Sequence, residues 1–211
     1  MARASHRGKF ITLEGVDGAG KSSHVSWIAE RLRRMGPNKE RDVLVTHEPG
    51  GTPIAEKLRA LVLSEPMDPL SETLLMFAAR TDHVRKVILP ALERGAWVVC
   101  DRFSDATAAY QGGGKGVSRE LILRLARSAH PGLTPDRTLV FDCPYEVSRA
   151  RLNGAGRPLD RFEREERAFH ERVRSAYRSL ARKEPARVRL IDASREPEEV
   201  RVLLEKELSS I

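Results

Sequence analysis

The stretch Gly15-Val16-Asp17-Gly18-Ala19-Gly20-Lys21-Ser22 decides the fold of this chain. It matches the pattern G-x-x-x-x-G-K-[ST] without a mismatch, follows a short apolar run at residues 9–14 and opens a helical pattern at residues 21–35. A strand, a glycine-rich turn and a helix in that order form a phosphate-binding loop, because the glycines expose backbone N–H groups at a helix N-terminus. A chance glycine-rich turn would lack this context. We therefore predict that residues 15–23, which include Ser23, bind the phosphates of ATP.

Side chains in and after this loop predict the chemistry. Lys21 is expected to bridge the β- and γ-phosphates, and Ser22 to hold Mg²⁺. Asp101 ends the apolar run at residues 96–100, where a carboxylate can orient the Mg²⁺ shell or simply cap the following helix. Arg102 follows directly. Its guanidinium suits bidentate binding of a phosphate, with a surface ion pair as the alternative.

Strand-like and helical patterns alternate along the rest of the chain. Apolar runs predict strands at residues 9–14, 42–46, 96–100, 138–141 and 188–191. Helical patterns occupy residues 21–35, 54–63, 71–94 and 197–208, and two shorter helices flank a loop at Gly112-Gly113-Gly114. This alternation predicts an α/β fold with a five-stranded parallel sheet flanked by helices, and ligands beyond the carboxyl ends of the strands. We expect one kinase domain over residues 1–211.

The composition is typical of a globular protein, with 40% hydrophobic and 32% charged residues. No apolar run approaches the roughly 18 residues that span a bilayer, and the basic N-terminus leads into a run too short for a signal peptide. Cys100 and Cys143 each lie at or near the end of a strand-like run. We expect buried thiols there, not a disulfide or a metal site. The chain is therefore expected to be cytoplasmic and free of membrane contact.

A net charge of +7 would attract polyanions, either nucleic acid or phosphorylated metabolites. Aromatic residues are only 5% of the chain, and solvated arginines in residues 161–182 account for much of the excess. We therefore expect no nucleic-acid partner, although a nucleotide-dependent nucleic-acid binder or P-loop ATPase stays as the alternative from another class. A GTPase is excluded because the string Asn38-Lys39-Glu40-Arg41 lacks the aspartate of N-K-x-D and precedes the second strand.

An ordered set of motifs resembles the bacterial thymidylate kinases, which are P-loop nucleoside monophosphate kinases. The motifs are residues 14–22, Glu48-Pro49-Gly50-Gly51-Thr52, Phe77-Ala78-Ala79-Arg80, Asp101-Arg102-Phe103, Ala109-Tyr110-Gln111-Gly112 and Leu159-Asp160-Arg161-Phe162-Glu163. The resemblance runs from residue 10 to about residue 192. It implies that the chain phosphorylates dTMP to dTDP with ATP and Mg²⁺, and that it is a homodimer.

The resemblance also implies a dTMP site. Phe77 matches the ring that stacks on thymine, although a buried Phe is more often core. Arg80 matches the arginine that hydrogen-bonds the thymine carbonyl, and Tyr110 matches the tyrosine that favours deoxyribose. Asp17 matches the acid near the sugar 3′-hydroxyl and the acceptor phosphate. The expected dTMP contacts are Asp17, Glu48, Arg59, Phe77, Arg80, Arg102, Thr107, Tyr110 and Gln111. His83 is expected to be structural.

Residues 149–161 are expected to form a mobile lid, because a basic segment with Asn153-Gly154-Ala155-Gly156 lies between helices. Family members carry the catalytic arginine either in the phosphate loop or in the lid. Here Gly18 and Ala19 follow Asp17, so the lid must supply it, through Arg151 or Arg157, with Arg149 third. The predicted catalytic residues are Lys21, Arg102, Asp17, Arg151 and Arg157.

An alternative enzyme is a deoxynucleoside kinase or another nucleoside monophosphate kinase. A deoxynucleoside kinase would use Glu48 as a general base on the sugar 5′-hydroxyl. The lid and the Glu48-Pro49-Gly50-Gly51-Thr52 turn favour the monophosphate acceptor, whose oxyanion needs no base. The family usually has Ser at position 106 and commonly Arg at position 47, where this chain has Ala106 and His47.

Overall fold

The computed structural model describes residues 8–36 and 40–211, so the basic N-terminus, the helix-ending Pro37 and the Asn38-Lys39 pair lie outside it. Within the described residues the strands are β1 Phe10–Gly15, β2 Val43–His47, β3 Trp97–Asp101, β4 Arg137–Asp142 and β5 Val188–Asp192. They form one sheet in the order β2-β3-β1-β4-β5, and every neighbouring pair is parallel. The predicted five-stranded parallel sheet is confirmed.

Helices connect the strands. They are α1 Ser22–Arg34, α2 Pro53–Ser64, α3 Pro69–His83, α4 Leu89–Glu93, α5 Ser104–Thr107, α6 Arg119–Ala129, α7 Tyr145–Asn153, α8 Arg167–Lys183 and α9 Pro197–Leu208. A π-helical turn, Val84–Ile88, joins α3 to α4, so the single helix predicted over residues 71–94 is one continuous helical stretch with a π-turn inside it. None of the described helices combines the length and apolarity needed to cross a bilayer.

Both faces of the sheet are buried, which explains why β3 is an unbroken apolar run. Val99 packs in one core cluster with Ile28 of α1, whereas Val98 and Cys100 face a second cluster that contains Ile88. Cys100 and Cys143 are buried free thiols, as predicted. Because helices cover both faces, only the strand ends are open to ligands.

The prediction of a loop at Gly112-Gly113-Gly114 is wrong. These glycines complete a π-helical turn, Ala108–Gly114, that packs against α8. A Cβ atom on Gly113 would lie 2.7 Å from the Cβ of Ala176, and one on Gly114 would overlap the Phe169 ring. The glycines therefore allow close approach of two helical segments instead of forming a turn.

Candidate active site

The phosphate-binding loop joins β1 to α1 and is held against the sheet. Gly15, Gly18 and Gly20 have φ angles of 133°, 74° and 89°, which side-chain-bearing residues rarely adopt. At Gly15 a Cβ atom would also lie 2.5 Å from the carbonyl oxygen of Phe141. The buried Lys21 donates to the Gly15 and Val16 carbonyl oxygens at 3.3 Å each. Burial, reinforced by a nearby guanidinium, lowers the pKa of Lys21.

Arg102 lies at the end of β3 in a strained conformation, with a φ of 69°. Its guanidinium donates to the Gly15 carbonyl oxygen at 2.8 Å, to Asp17 Oδ1 at 2.6 Å and to the Tyr110 hydroxyl at 2.9 Å. The Tyr110 hydroxyl in turn donates to Asp17 Oδ2 at 2.8 Å. We call Asp17, Arg102 and Tyr110 the arginine ring, since their hydrogen bonds close a cycle.

The charges of the arginine ring balance each other. Burial raises the pKa of Asp17, but the positive charges of Arg102 and Lys21 outweigh it and lower that pKa to about 2. Asp17 is therefore a carboxylate at neutral pH. A partly buried cation that is held in place by a carboxylate and a hydroxyl is available to a phosphate without reorganisation of the backbone.

Two cavities meet at the arginine ring. The P-loop cavity is lined by residues of the phosphate loop, the lid and the strand ends: Asp17, Gly18, Gly20, Lys21, Ser22, Ser23, His47, Glu48, Arg59, Leu63, Asp101, Arg102, Arg151, Leu152, Ala155, Arg157, Asp160 and Glu163. The inner cavity is lined by Asp17, Glu48, Pro49, Arg59, Leu63, Met76, Arg80, Arg102, Phe103, Ala106, Thr107, Tyr110, Gln111, Asp160 and Phe162. Because Asp17 and Arg102 line both cavities, a donor in one and an acceptor in the other would meet at the ring.

Arg80 supplies the buried charge of the inner cavity. Its Nε donates to Glu48 Oε2 at 2.6 Å, Nη1 to the Thr107 hydroxyl at 3.1 Å and Nη2 to the Phe103 carbonyl oxygen at 3.1 Å. Glu48 Oε1 contacts Nδ1 of the fully buried His83 at 3.0 Å. His83 thus has the structural role predicted for it. The remaining N–H groups of Arg80 can donate to a ligand in the cavity.

The structure does not bring Phe77, the predicted stacking residue, into the lining of the inner cavity. Phe77 packs with Ile122 and Ala129 of α6, and its ring centroid lies 4.8 Å from the guanidinium carbon of Arg80. Met76 lines the cavity instead. Neighbouring helical positions differ by about 100°, so adjacent residues face different surroundings. On the α3 side the Met76 thioether, and not the Phe77 ring, therefore lines the cavity.

Other residues predicted to contact the acceptor also line the two cavities. Glu48, Thr107 and Gln111 line the inner cavity, and Arg59 lies at the junction of both cavities with Nη1 3.0 Å from the Pro49 carbonyl oxygen. Sequence reasoning missed several lining residues, namely Leu63, Met76, Phe103, Asp160 and Phe162. Asp160 and Phe162 belong to the Leu159-Asp160-Arg161-Phe162-Glu163 motif, so the signal was present without an assigned role.

The end of β3 fits a role in binding a divalent ion. Asp101 lines the P-loop cavity, and its buried Oδ1 has no hydrogen-bond partner among residues 8–36 and 40–211. Ser22 lines the same cavity with an exposed side chain. The described part of the chain has no cluster of three or more His, Cys, Asp or Glu that could hold a metal alone. An ion bound here would share its ligands with phosphates and water, as Mg²⁺ does.

The lid arginines have different surroundings. Arg151 Nη1 donates to the carbonyl oxygen of Ala193 at 2.8 Å, and Nη2 to that of Arg195 at 3.4 Å. Arg157, which is half exposed, pairs with Glu163 at 2.5 and 2.8 Å. Arg149 donates to the Glu163 carbonyl oxygen and does not line the P-loop cavity. Residues 149–153 belong to α7, so the irregular part of the predicted lid begins at Gly154.

Glu14 of β1 lies close enough to the arginine ring for the charge of Arg102 to affect it. It is fully buried and accepts from the backbone N–H of Phe103 at 2.7 Å and from the Tyr177 hydroxyl at 2.7 Å. Burial and the negative charge of Asp105 raise the pKa of Glu14 to about 8, against the opposing effect of Arg102. Glu14 therefore keeps its proton in the folded protein at neutral pH.

The elevated pKa of Glu14 predicts a pH-dependent stability. Above the usual pKa of 4.5 the unfolded chain releases this proton, whereas the folded chain keeps it up to about pH 8. The contribution of Glu14 to the free energy of unfolding thus falls from about pH 4.5 to pH 8, by at most about 1.4 kcal/mol per pH unit. Urea unfolding at pH 5, 6.5 and 8 should show Glu14→Gln gaining stability relative to the parent as pH rises. Parallel pH profiles would contradict the prediction.

The fold and site together define a P-loop kinase that acts on a nucleotide acceptor, since a cavity at the phosphate loop and a second cavity meet at cationic side chains. The family model for thymidylate kinase matches residues 13–203. The chain belongs to the thymidylate kinase family, and it phosphorylates dTMP to dTDP with ATP as the phosphate donor.

Relatives and a solved structure match over nearly the whole chain. Thymidylate kinase of Bordetella pertussis is 58% identical over 97% of this chain and 96% of its own length. That of Cupriavidus metallidurans is 52% identical over 97% of this chain and its full length. A crystal structure of thymidylate kinase from Ehrlichia chaffeensis is 33% identical, covers 96% of this chain and 99% of its own, and has a TM-score of 0.76.

Proposed function

We propose that ATP lies in the P-loop cavity, that dTMP lies in the inner cavity, and that the γ-phosphoryl group crosses between them at the arginine ring. The observation that carries this proposal is that Asp17 and Arg102 line both cavities. Arg102 binds the acceptor phosphate, Lys21 binds the transferred group, and Asp17 accepts from the sugar hydroxyl while it balances both cations. Met76 and Phe162 give the base an apolar surface, and Arg80 donates to a carbonyl of thymine.

Ser22 and Asp101 are proposed to hold Mg²⁺ together with the ATP phosphates. The ion supplies positive charge to the β- and γ-phosphates when it is bound. The unpartnered Oδ1 of Asp101 supports this assignment, because a buried carboxylate oxygen without a hydrogen bond is unfavourable unless a ligand or a metal-bound water satisfies it. The protein's own contribution is positioning and charge stabilisation.

No general base is proposed for the reaction. The acceptor is already an oxyanion, and both oxygens of Glu48 are occupied by Arg80 and His83. Burial raises the pKa of Glu48, but the charge of Arg80 and the contacts with His83 lower it overall, so this carboxylate is a poor proton acceptor. These contacts argue against the deoxynucleoside kinase alternative.

The proposal is tested by coupled ADP release with ATP and Mg²⁺, comparing dTMP, dUMP, dCMP, dGMP, UMP and thymidine as acceptors. We expect dTMP to give the highest kcat/KM and thymidine to give no turnover above background. A preference for thymidine would instead assign the enzyme to the nucleoside kinases and make Glu48 a base. Turnover that needs DNA and no nucleotide acceptor would support the nucleic-acid alternative.

The lid arginines are proposed to divide their roles, although both were predicted to be catalytic. Arg157 is the arginine for transfer, because among the described residues only the Glu163 carboxylate and the Pro158 carbonyl oxygen accept from it. Arg151 forms part of the ATP-binding wall of the P-loop cavity, since it donates to backbone carbonyl oxygens of the β5–α9 connection. We expect Arg157→Ala to lower kcat roughly a hundredfold to a thousandfold, as the loss of one charge-stabilising donor does.

Steady-state kinetics with varied ATP check the division of roles. Arg151→Ala is expected mainly to raise the KM for ATP, and Arg164→Ala is the matched control, because Arg164 is an exposed arginine that donates to the Leu159 carbonyl oxygen and lines neither cavity. An Arg157→Ala enzyme with the parental kcat would remove Arg157 from the mechanism.

A homodimer is also proposed. Neighbouring helices α2 and α3 expose Ile54, Leu61, Leu70 and Leu74, which are between 43% and 53% accessible. Residues four or seven apart lie on one side of a helix, so each pair forms part of an apolar surface suited to a second copy. We expect sedimentation to give about twice the chain mass of 23.6 kDa, and Leu74→Glu to shift it towards the monomer. A parent that sediments only as a monomer would contradict the dimer.

The cellular setting and the remaining partners are proposed on similar grounds. Two buried, unpaired thiols fit a reducing compartment such as the cytoplasm. Several arginines in residues 161–182 form ion pairs, as Arg167 does with Glu171 and Arg174 with Asp142. The net charge of +7 therefore does not require a surface for nucleic acid. For the domain organisation we keep the proposal of one kinase domain with a lid at residues 149–161.

A further inference from the structure

A cluster of charged and polar side chains borders the inner cavity, and the mechanism described so far gives no role to the buried carboxylate at its centre. Its centre is Glu72 of α3, which is completely inaccessible to solvent. The Glu72 carboxylate accepts from Gln111 Nε2 at 2.7 Å, from Lys115 Nζ at 2.8 Å and from the guanidinium of Arg161. We call these residues the Glu72 cluster. The cations neutralise the carboxylate, and Gln111 connects the cluster to the cavity wall.

The Glu72 cluster determines which way the Gln111 amide points. An ionised carboxylate can only accept, so the Gln111 atom 2.7 Å from it must be the NH₂ group. The carbonyl Oε1 is then the free end of the amide, and no described residue donates to it. Gln111 lines the inner cavity, which makes Oε1 an acceptor available to a ligand there. A glutamine without this anchor could present either its acceptor or its donors.

We propose that Glu72 is a positioning residue for substrate specificity, which acts by holding the Gln111 carbonyl oxygen towards the base of the nucleotide. The inference rests on the proposed function, because it takes the base of dTMP to lie in the inner cavity. Thymine and uracil carry a hydrogen on N3 that can be donated to Oε1. Cytosine has an unprotonated N3, whose lone pair would face the lone pairs of Oε1.

The Glu72 cluster opposes the rotation of the Gln111 amide that would let the site accept cytosine. Rotating the Gln111 amide would place its carbonyl oxygen against the Glu72 carboxylate and leave the buried Glu72 Oε1 without its donor, which is unfavourable on both counts. Arg80 discriminates separately, because its N–H donors suit the carbonyl oxygen at position 4 of thymine and oppose the amino group of cytosine. Both the parent and a Glu72 variant keep Arg80, so its contribution cancels when their preferences are compared.

The test measures kcat/KM of the full-length enzyme for dTMP, dUMP and dCMP before and after Glu72→Gln. A neutral glutamine can accept from Gln111 or donate to it, so both orientations of the Gln111 amide become available. We expect the dTMP:dCMP ratio to fall about tenfold, the scale of one unsatisfied buried hydrogen-bonding group. The dTMP:dUMP ratio should stay unchanged, because these bases share N3–H and differ by a methyl group. Turnover of dTMP by the parent tests the proposed function independently.

Glu165→Gln is the matched control. Glu165 Oε1 lies 3.9 Å from the same Lys115 ammonium, but Glu165 makes no contact with Gln111, so its loss should leave both ratios at the parental values. An unchanged dTMP:dCMP ratio in Glu72→Gln would overturn the proposal. A parallel fall of both ratios would also overturn it, since Glu72 would then only maintain the shape of the cavity.

A double variant keeps the proposal testable if Glu72→Gln fails to fold. In Glu72→Gln with Gln111→Glu the donor and the acceptor exchange positions, while the total charge of the cluster is unchanged. The carboxylate at position 111 can only accept, so it presents an acceptor to the base and should restore the parental preference for dTMP over dCMP. A double variant that turns over dTMP and dCMP about equally would contradict the assignment.

Discussion

Arg102→Ala is expected to remove about 3–4 kcal/mol of transition-state stabilisation, which lowers kcat for dTMP by about two to three orders of magnitude. Arg102 is the cation at which both cavities meet, and its guanidinium already contacts Asp17 and Tyr110. Its removal leaves the acceptor phosphate without a bidentate partner and Asp17 without its main counter-charge. Steady-state kinetics with saturating ATP and varied dTMP measure the effect. A kcat/KM within tenfold of the parent would refute the role assigned to Arg102.

Matched variants separate charge from geometry and from stability. Arg94→Ala removes an exposed arginine that pairs with Asp42 at 3.3 Å, and it should leave kcat unchanged. Arg102→Lys keeps the charge but loses the planar fork, so we expect it to recover only part of the lost activity. Thermal unfolding of each variant shows whether the backbone around position 102, with its φ of 69°, has stayed folded.

Lys21→Ala is expected to have an effect of similar size, about 3–4 kcal/mol in transition-state stabilisation, through a different part of the reaction. Lys21 is buried against the Gly15 and Val16 carbonyl oxygens, within the loop that holds the donor phosphates. In the proposed mechanism its ammonium offsets charge on the transferred phosphoryl group, and no other lysine lines either of the described cavities. Rapid-quench measurement of a single turnover reports the chemical step directly.

The control for Lys21 is Lys206→Ala, which removes an exposed lysine of α9. We expect its single-turnover rate to equal that of the parent. Fluorescent ATP analogues give the affinity of Lys21→Ala for the donor, so that lost binding is not mistaken for a slower chemical step. A variant with weakened ATP binding but the parental rate at saturation would show that Lys21 only binds the donor.

The parallel sheet was predictable because its strands are buried on both faces. An apolar run such as Trp97–Asp101 has no competing interpretation once a glycine-rich turn and helical patterns surround it. Because this strand ends at Asp101, the sequence also predicted that Asp101 and Arg102 would lie at the carboxyl edge of the sheet, where ligands bind. The glycines at positions 112–114 were misinterpreted, since their requirement for space comes from α8, more than 50 residues later in the chain. Local propensity contains no information about that contact.

The acceptor side was only partly predictable for a similar reason. The choice between Met76 and Phe77 depends on the rotation of α3 about its axis, and a sequence pattern with apolar residues at both positions does not fix that rotation. Arg80 would pass for a solvated charge by sequence reasoning alone, yet it is 3% exposed because Glu48, Thr107 and the Phe103 carbonyl surround it. Such burial depends on residues from two distant segments, at position 48 and at positions 103–107.

In the proposed function, the arginine ring makes acceptor binding an exchange of anions. The Asp17 carboxylate pairs with the Arg102 guanidinium at 2.6 Å, so a phosphate that binds there must share or replace an internal carboxylate. This competition would weaken the binding of any single phosphate, but Asp17 would also be a partner for the guanidinium when the product leaves. The partly buried charge of Arg102 would then keep an anionic partner during both binding and release.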